Sequence, residues 1–190
     1  MHFQDLNKMR NPWKTIQKRV LYENKYGYKF RDDIILTPKG TESRYMVLEG
    51  RGHVVMVPLT PERNILMTRQ WRYPIEEESV ELPSGTIQLP TESPLATAKK
   101  EMLEEVHATS EEWIELGKYW PLNGIVKNMG YLYLALNVKK VDFSHDEDDE
   151  EIQIEEIPFD QVMKMVMNGD ILDERTQLGL FFVKQYLDNN

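Results

Sequence analysis

The sequence predicts an α/β fold, and three observations carry that reading. Residues 14–49 are rich in β-branched and aromatic residues around turn signals, which marks an antiparallel β region. Two short apolar runs, HVVMVPL (53–59) and NILMTRQ (64–70), flank the polar turn PERN and read as buried strands. Three later segments, 93–106, 159–169 and 172–187, carry apolar residues at helical spacing.

The elements follow in order. TIQKRVLYEN and YGYKFRDDIIL flank a turn at Asn24–Gly27, TPKG (Thr37–Gly40) is a second turn, and RYMVLEG is a third strand. Trp71, after the second apolar run, reads as core packing rather than a base-stacking platform. SVELP is a strand ending at Ser84-Gly85. Ser93 can cap a helix whose first residue is Pro94, where a missing N–H costs nothing. Leu95, Ala98, Met102 and Val106 form its apolar stripe. WIELGKYW and MGYLYLALNVKKV are two further strands. FDQVMKMVMNG is an amphipathic helix ending at Gly169. In LDERTQLGLFFVKQYL the core-facing residues are expected to be Leu178, Phe181, Phe182, Tyr186 and Leu187.

Chemistry concentrates in the 93–106 helix. Glu101, Glu104 and Glu105 fall at i, i+3 and i+4, off the apolar stripe, so they project as one carboxylate cluster. At about 6 Å and an effective dielectric near 20, each pair repels by roughly 3 kcal/mol. Lys99 and Lys100 relieve this in part, and a hard divalent cation relieves it better.

Composition bounds the rest. The 190 residues suit one domain with a core, 41% hydrophobic and 29% charged. A net charge of −9 argues against a nucleic-acid surface, which needs clustered Lys and Arg. With no cysteine and four scattered histidines, neither disulfides nor a zinc site is expected. No apolar run approaches the roughly 20 residues of a membrane span, and MHFQDLNKMRNPW lacks a signal-peptide core. These features predict a cytoplasmic protein without membrane or nucleic-acid partners.

The stretch from Gly85 to Ala108, GTIQLPTESPLATAKKEMLEEVHA, resembles the signature box of the Nudix hydrolases. Gly85 begins it, Glu92 matches the first Glu after one extra residue, and the spacing holds from there. Lys100 replaces the usual Arg, Glu101 follows, Met102 is the apolar position, Glu104-Glu105 is the acidic pair, and His107 stands where the family has Gly. The preceding ELPSG also fits. Gly at the His107 position supports a left-handed helix end, so His107 is expected to be a changed cap and no metal ligand.

The resemblance implies an α/β/α sandwich with a mixed sheet, one domain over 1–190, with 14–49 dimer-forming and 50–190 catalytic. It implies Mg²⁺-dependent hydrolysis, with Mn²⁺ as a substitute, of the pyrophosphate bond in nucleoside diphosphate sugars, ADP-ribose included. The metal would be held by Glu101, Glu105, Glu104 and the Ser84 carbonyl. The proton acceptor would be a box glutamate (Glu104 or Glu105) or a carboxylate of the acidic run SHDEDDEE, with Asp148 and Glu150 the nearest matches and Glu147 also in range. Arg72, in Arg69-Gln70-Trp71-Arg72, would hold the diphosphate, with Glu81 near the substrate. Residues 121–128 would form the substrate loop. Asn123 stands where ADP-ribose pyrophosphatases carry a marker Pro, and Asn128 where a Glu is usual. Asp173-Glu174-Arg175 is similar to an Asp-x-Lys motif of nucleotide-sugar hydrolases. Either Arg175 contacts substrate, or Asp173 caps a helix and Arg175 faces solvent. A homodimer is implied. The competing classes are a regulatory or nucleotide-binding module of the same fold with weakened catalysis, and an enzyme acting on RNA 5′ ends.

Overall fold

A computed structural model of the chain describes residues 12–88, 91–143 and 151–190. In chain order the first strands are β1 (Lys14–Glu23), β2 (Lys29–Leu36), β3 (Glu42–Glu49), β4 (His53–Pro58), β5 (Asn64–Arg72), β6 (Glu77–Glu81) and β7 (Ser84–Thr86). Helix α1 (Pro94–Val106) follows, then β8 (Ala108–Thr109), β9 (Glu112–Tyr119), β10 (Val126–Lys127), β11 (Gly130–Leu136), β12 (Lys139–Lys140) and β13 (Gln153–Pro158). Helices α2 (Phe159–Asn168) and α3 (Glu174–Asp188) close the chain.

The chain divides into two compact units, one of residues up to Arg51 with Trp120–Asn128, the other of Gly52–Tyr119 with Met129–Asn190. In the first, strands run in the order β1-β2-β3-β10. β1, β2 and β3 form the expected antiparallel meander, and β10 joins β3 in parallel, Val126 opposite Leu48. The first turn forms because Asn24 Oδ1 accepts from the Tyr26 and Tyr28 amides at 3.1 and 2.9 Å. Glu49 receives both Arg31 and Lys127, the latter at 2.7 Å, which ties the 120–128 segment to this sheet. β1 is exposed along its whole length, with Ile16, Val20, Leu21 and Tyr22 in solvent.

In the second unit the mixed sheet β7-β4-β11-β9 pairs β11 parallel to β4 and antiparallel to β9. The antiparallel sheet β13-β5-β6 lies in the same unit, and β8 pairs with β12. Strand alternation sorts the core into two layers. Val55, Val57, Met67, Leu132 and Leu134 pack with Val162, Val166, Leu180 and Val183 of α2 and α3. Val54, Met56, Leu66, Tyr133 and Ala135 pack with Ala98, Met102 and Val106 of α1. Helices therefore cover both faces, the sandwich that the sequence implies.

Three local expectations change. The strand read through Ser84 breaks at Leu82-Pro83, so β6 pairs with β5 and β7 with β4. Trp71 is 60% exposed rather than packed in the core, because β5 runs past the covered part of its sheet. Leu178, Tyr186 and Leu187 pack against the core as expected, but the buried side of α3 is Thr176, Gly179, Leu180 and Val183, while Phe181 and Phe182 are exposed. The helix is turned this way because Gly179 lies against Leu82, where a Cβ would come within 2.8 Å of the Leu82 side chain.

Candidate active site

Helix α1 is fixed at both ends. Ser93 Oγ accepts from the Ala96 amide at 3.2 Å, and Pro94 opens the helix. Glu92 accepts from Thr97 Oγ1 at 3.1 Å, so the first box glutamate serves the helix start. At the far end His107 has φ 49° and ψ 48°, the left-handed conformation usual for Gly. Its amide bonds the Met102 carbonyl, its carbonyl accepts from Val141 at 2.8 Å, and its ring lies 5.9 Å from that of Phe143. These contacts hold an unfavourable backbone, and His107 is the changed cap expected.

Fixing α1 sets its glutamates against the Ser84-Gly85 backbone. Glu105 accepts the Ser84 amide at 2.9 Å. Glu101 reaches so close to Gly85 that a Cβ there would overlap its carboxylate. Gly is required here for a close approach. Glu104 turns to Lys100, 3.2 Å away. Three carboxylates within one turn are hard oxygen donors, and the cradle at Gly85 brings one of them onto the backbone, so the donor set fits a small divalent cation. Among the described residues no three His, Cys, Asp or Glu side chains already converge as a metal-holding group. Glu104 instead uses Lys100 as its counter-charge.

Ser84 also faces a second cluster, from β5, β6 and the start of α3. Glu81 is 2% exposed and receives a two-point contact from Arg72, Nε at 2.8 Å and Nη2 at 2.5 Å. Arg175 Nη2 reaches the same carboxylate at 3.0 Å, and its Nη1 lies 3.4 Å from Ser84 Oγ. Burial alone would raise the Glu81 carboxyl, but the Arg72 hydrogen bond and the charges of Arg72 and Arg175 outweigh it and hold the group below its ordinary value. The two guanidiniums share two carboxylates, Glu81 and Asp173, so the cluster is charge-balanced, and its planar guanidinium forks are the groups whose geometry suits phosphate. Arg72 is thus engaged by Glu81. Both halves of the reading of Asp173-Glu174-Arg175 are adjusted: Asp173 caps α3 through Thr176 N at 2.8 Å, yet Arg175 is held against Asp173, Glu81 and Ser84 rather than in solvent. Asp148, Glu150 and Glu147 lie outside the described residues.

A pair beside Arg175, His53 buried and Tyr119 half-buried, escaped the sequence. His53 Nε2 and Tyr119 Oη are 2.6 Å apart, the rings meeting edge to face at 5.4 Å. They sit on strands separated by β11 and meet across Gly130, where a Cβ would overlap the Tyr119 ring and lie 2.8 Å from His53 Nε2. Burial, reinforced by the Arg175 charge and opposed by Asp173, lowers the His53 pKa from 6.5 to about 4. Burial also pushes the Tyr119 hydroxyl well up. Between pH 4 and 6.5 the unfolded chain binds a proton that the folded chain refuses, so stability from this group is complete above 6.5 and falls as pH drops towards 4. The expected loss is up to about 3 kcal/mol across that window. Urea unfolding at pH 7 and 4.5 should show it, and His53→Gln should be less acid-sensitive. Equal acid sensitivity in the two proteins would remove His53 from the account.

The comparisons with known proteins bear on the family and the fold. The NUDIX domain profile matches residues 50–175. Two proteins named ADP-ribose pyrophosphatase are similar over 90% of this chain: one from Bacillus subtilis (strain 168), 24% identical over 92% of its own length, and one from Mycobacterium tuberculosis (strain ATCC 25618 / H37Rv), 26% identical over 83%. A methanol dehydrogenase activator from Bacillus methanolicus is 26% identical, over 90% of this chain and 92% of its own. A crystal structure of an ADP compounds hydrolase superposes with a TM-score of 0.80 at 17% identity, covering 93% of this chain and 95% of that one, and so shares the fold. With its box on α1 set against the Ser84-Gly85 backbone and its profile match covering most of its length, the chain belongs to the Nudix family of hydrolases.

Proposed function

We propose that the protein hydrolyses the pyrophosphate bond of nucleoside diphosphate sugars, ADP-ribose included, giving a nucleoside monophosphate and a sugar phosphate. The observation that carries this is the meeting at Ser84 of a carboxylate pair, Glu101 and Glu105, with an arginine cluster, Arg72 and Arg175 held by Glu81 and Asp173. Arg72 and Arg175, steadied by Glu81, bind the diphosphate. Glu101, Glu105, Glu104 and the Ser84 carbonyl would hold Mg²⁺, or Mn²⁺ in its place, which when bound supplies charge to polarise a phosphoryl oxygen and to acidify a water. A box glutamate, Glu104 or Glu105, or an acidic-run carboxylate, Asp148 or Glu150, takes the proton. The names of two relatives support the substrate class. Incubation with Mg²⁺ and a panel of nucleotide sugars should release nucleoside monophosphate, and no release with any of them would refute the activity.

A second reading has one observation in its favour. The relative named methanol dehydrogenase activator is as similar as the pyrophosphatases, which suits a regulatory module of this fold. The same panel separates the two.

We assign the protein to the cytoplasm; no helix among the described residues is long and apolar enough to cross a membrane. Its expected state is a homodimer. β1 offers an exposed strand bearing Ile16, Val20, Leu21 and Tyr22, and such edges invite pairing. Light scattering at micromolar concentration should give the mass of two chains; a fully active monomer would defeat this.

A further inference from the structure

The sequence motif at the start of α3 extends one residue beyond Arg175. Thr176 is fully buried, and its hydroxyl is used twice. It accepts the Leu82 amide at 2.8 Å, from the connection between β6 and β7, and it donates to Asp173 Oδ2 at 2.8 Å. The same Asp173 oxygen accepts the Thr176 amide at 2.8 Å, which closes the helix cap. The other oxygen, Oδ1, takes Arg175 Nε at 3.0 Å. The guanidinium is thereby held with Nη2 on Glu81 and Nη1 towards Ser84. Every link is a hydrogen bond, and all but the one from the Leu82 amide to the Thr176 hydroxyl are charge-assisted. A long side chain with several rotatable bonds is reduced to one orientation.

We propose that Thr176 is a positioning residue for substrate binding: its hydroxyl locks Asp173 to the Leu82 backbone, and Asp173 in turn aims Arg175 at the diphosphate of a nucleotide sugar. The proposal rests on the substrate class given above. Thr176 touches no substrate itself. It determines where the Arg175 charge stands relative to Ser84, because Leu82 lies two residues from Ser84 and three hydrogen bonds connect the Leu82 amide to the guanidinium.

The test uses the whole chain and reads binding separately from turnover. The dissociation constant for ADP-ribose is measured by calorimetry without divalent cation, for wild type, Thr176→Ser, Thr176→Val, Arg175→Ala and the Thr176→Val/Arg175→Ala double variant. Thermal unfolding of each reports the cost of stranding the Leu82 amide. Thr176→Val should weaken binding by roughly tenfold, since a charge displaced by about an ångström loses that much or more. Thr176→Ser, which keeps the hydroxyl, should bind like wild type. In the Arg175→Ala background, Thr176→Val should change binding by less than about twofold, because nothing is left to aim. An equal loss in both backgrounds would overturn the proposal and make Thr176 a stability residue alone. Unchanged binding by Arg175→Ala would overturn it too, and with it the diphosphate contact given to Arg175, but not the hydrolysis of the pyrophosphate bond. Failure of that reading would appear elsewhere, as no monophosphate released by wild type with Mg²⁺.

Discussion

Glu105→Gln should lower turnover by roughly 10²–10³-fold or more, the scale of losing one preorganised charge at the reacting centre. The fold should stay intact. The amide of Gln can still accept the Ser84 N–H through its carbonyl oxygen, so the backbone bond at 2.9 Å has a replacement. Removing one of three neighbouring negative charges also relieves repulsion on α1, and metal-free thermal stability should not fall. Steady-state rates with a nucleotide sugar and Mg²⁺, beside a thermal melt without metal, test both halves. Turnover near wild type would take this helix out of the chemistry.

Gly85→Ala should separate activity from stability in another way. The added methyl enters the space of the Glu101 carboxylate. The methyl would overlap Glu101 Cγ as well, so the whole side chain must leave its rotamer, at a cost of about 1 kcal/mol, the order of one displaced rotamer. Stability is therefore nearly kept, while a ligand pushed about an ångström out of place should cost roughly 10²-fold in rate. Wild-type turnover in Gly85→Ala would mean that Glu101 need not lie against the backbone.

What could be read from the sequence follows from the range of the interactions involved. Both ends of α1 were legible because caps are local: Ser93 and Pro94 lie within a turn of the amides they serve, and His107 marks the left-handed exit by standing where Gly is usual. The strands around PERN were legible because a run such as HVVMVPL is apolar on both faces. The orientation of α3 was legible only in part, through Leu178, Tyr186 and Leu187. Its buried side is marked by Thr176 and Gly179, which hydropathy scores poorly, and Phe181 and Phe182 drew the apolar face the wrong way. Arg72, Glu81 and Arg175 could be named singly from the family resemblance. That one buried carboxylate holds both arginines depends on a contact spanning 94 residues, which no local pattern encodes. His53 and Tyr119 were missed for the same reason, since their meeting requires the register of three strands.

That last arrangement constrains the order in which the chain can change over evolutionary time. Gly130 provides the gap through which Tyr119 reaches His53. A side chain cannot be gained at 130 while the tyrosine remains, because its Cβ would overlap the ring. Losing the tyrosine first takes a hydrogen-bond partner from a desolvated imidazole next to Arg175. The low-cost route replaces His53 by an apolar residue, then shortens Tyr119, and only then fills position 130. Intermediates taken in the reverse order should be the rarer ones among descendants of this sequence.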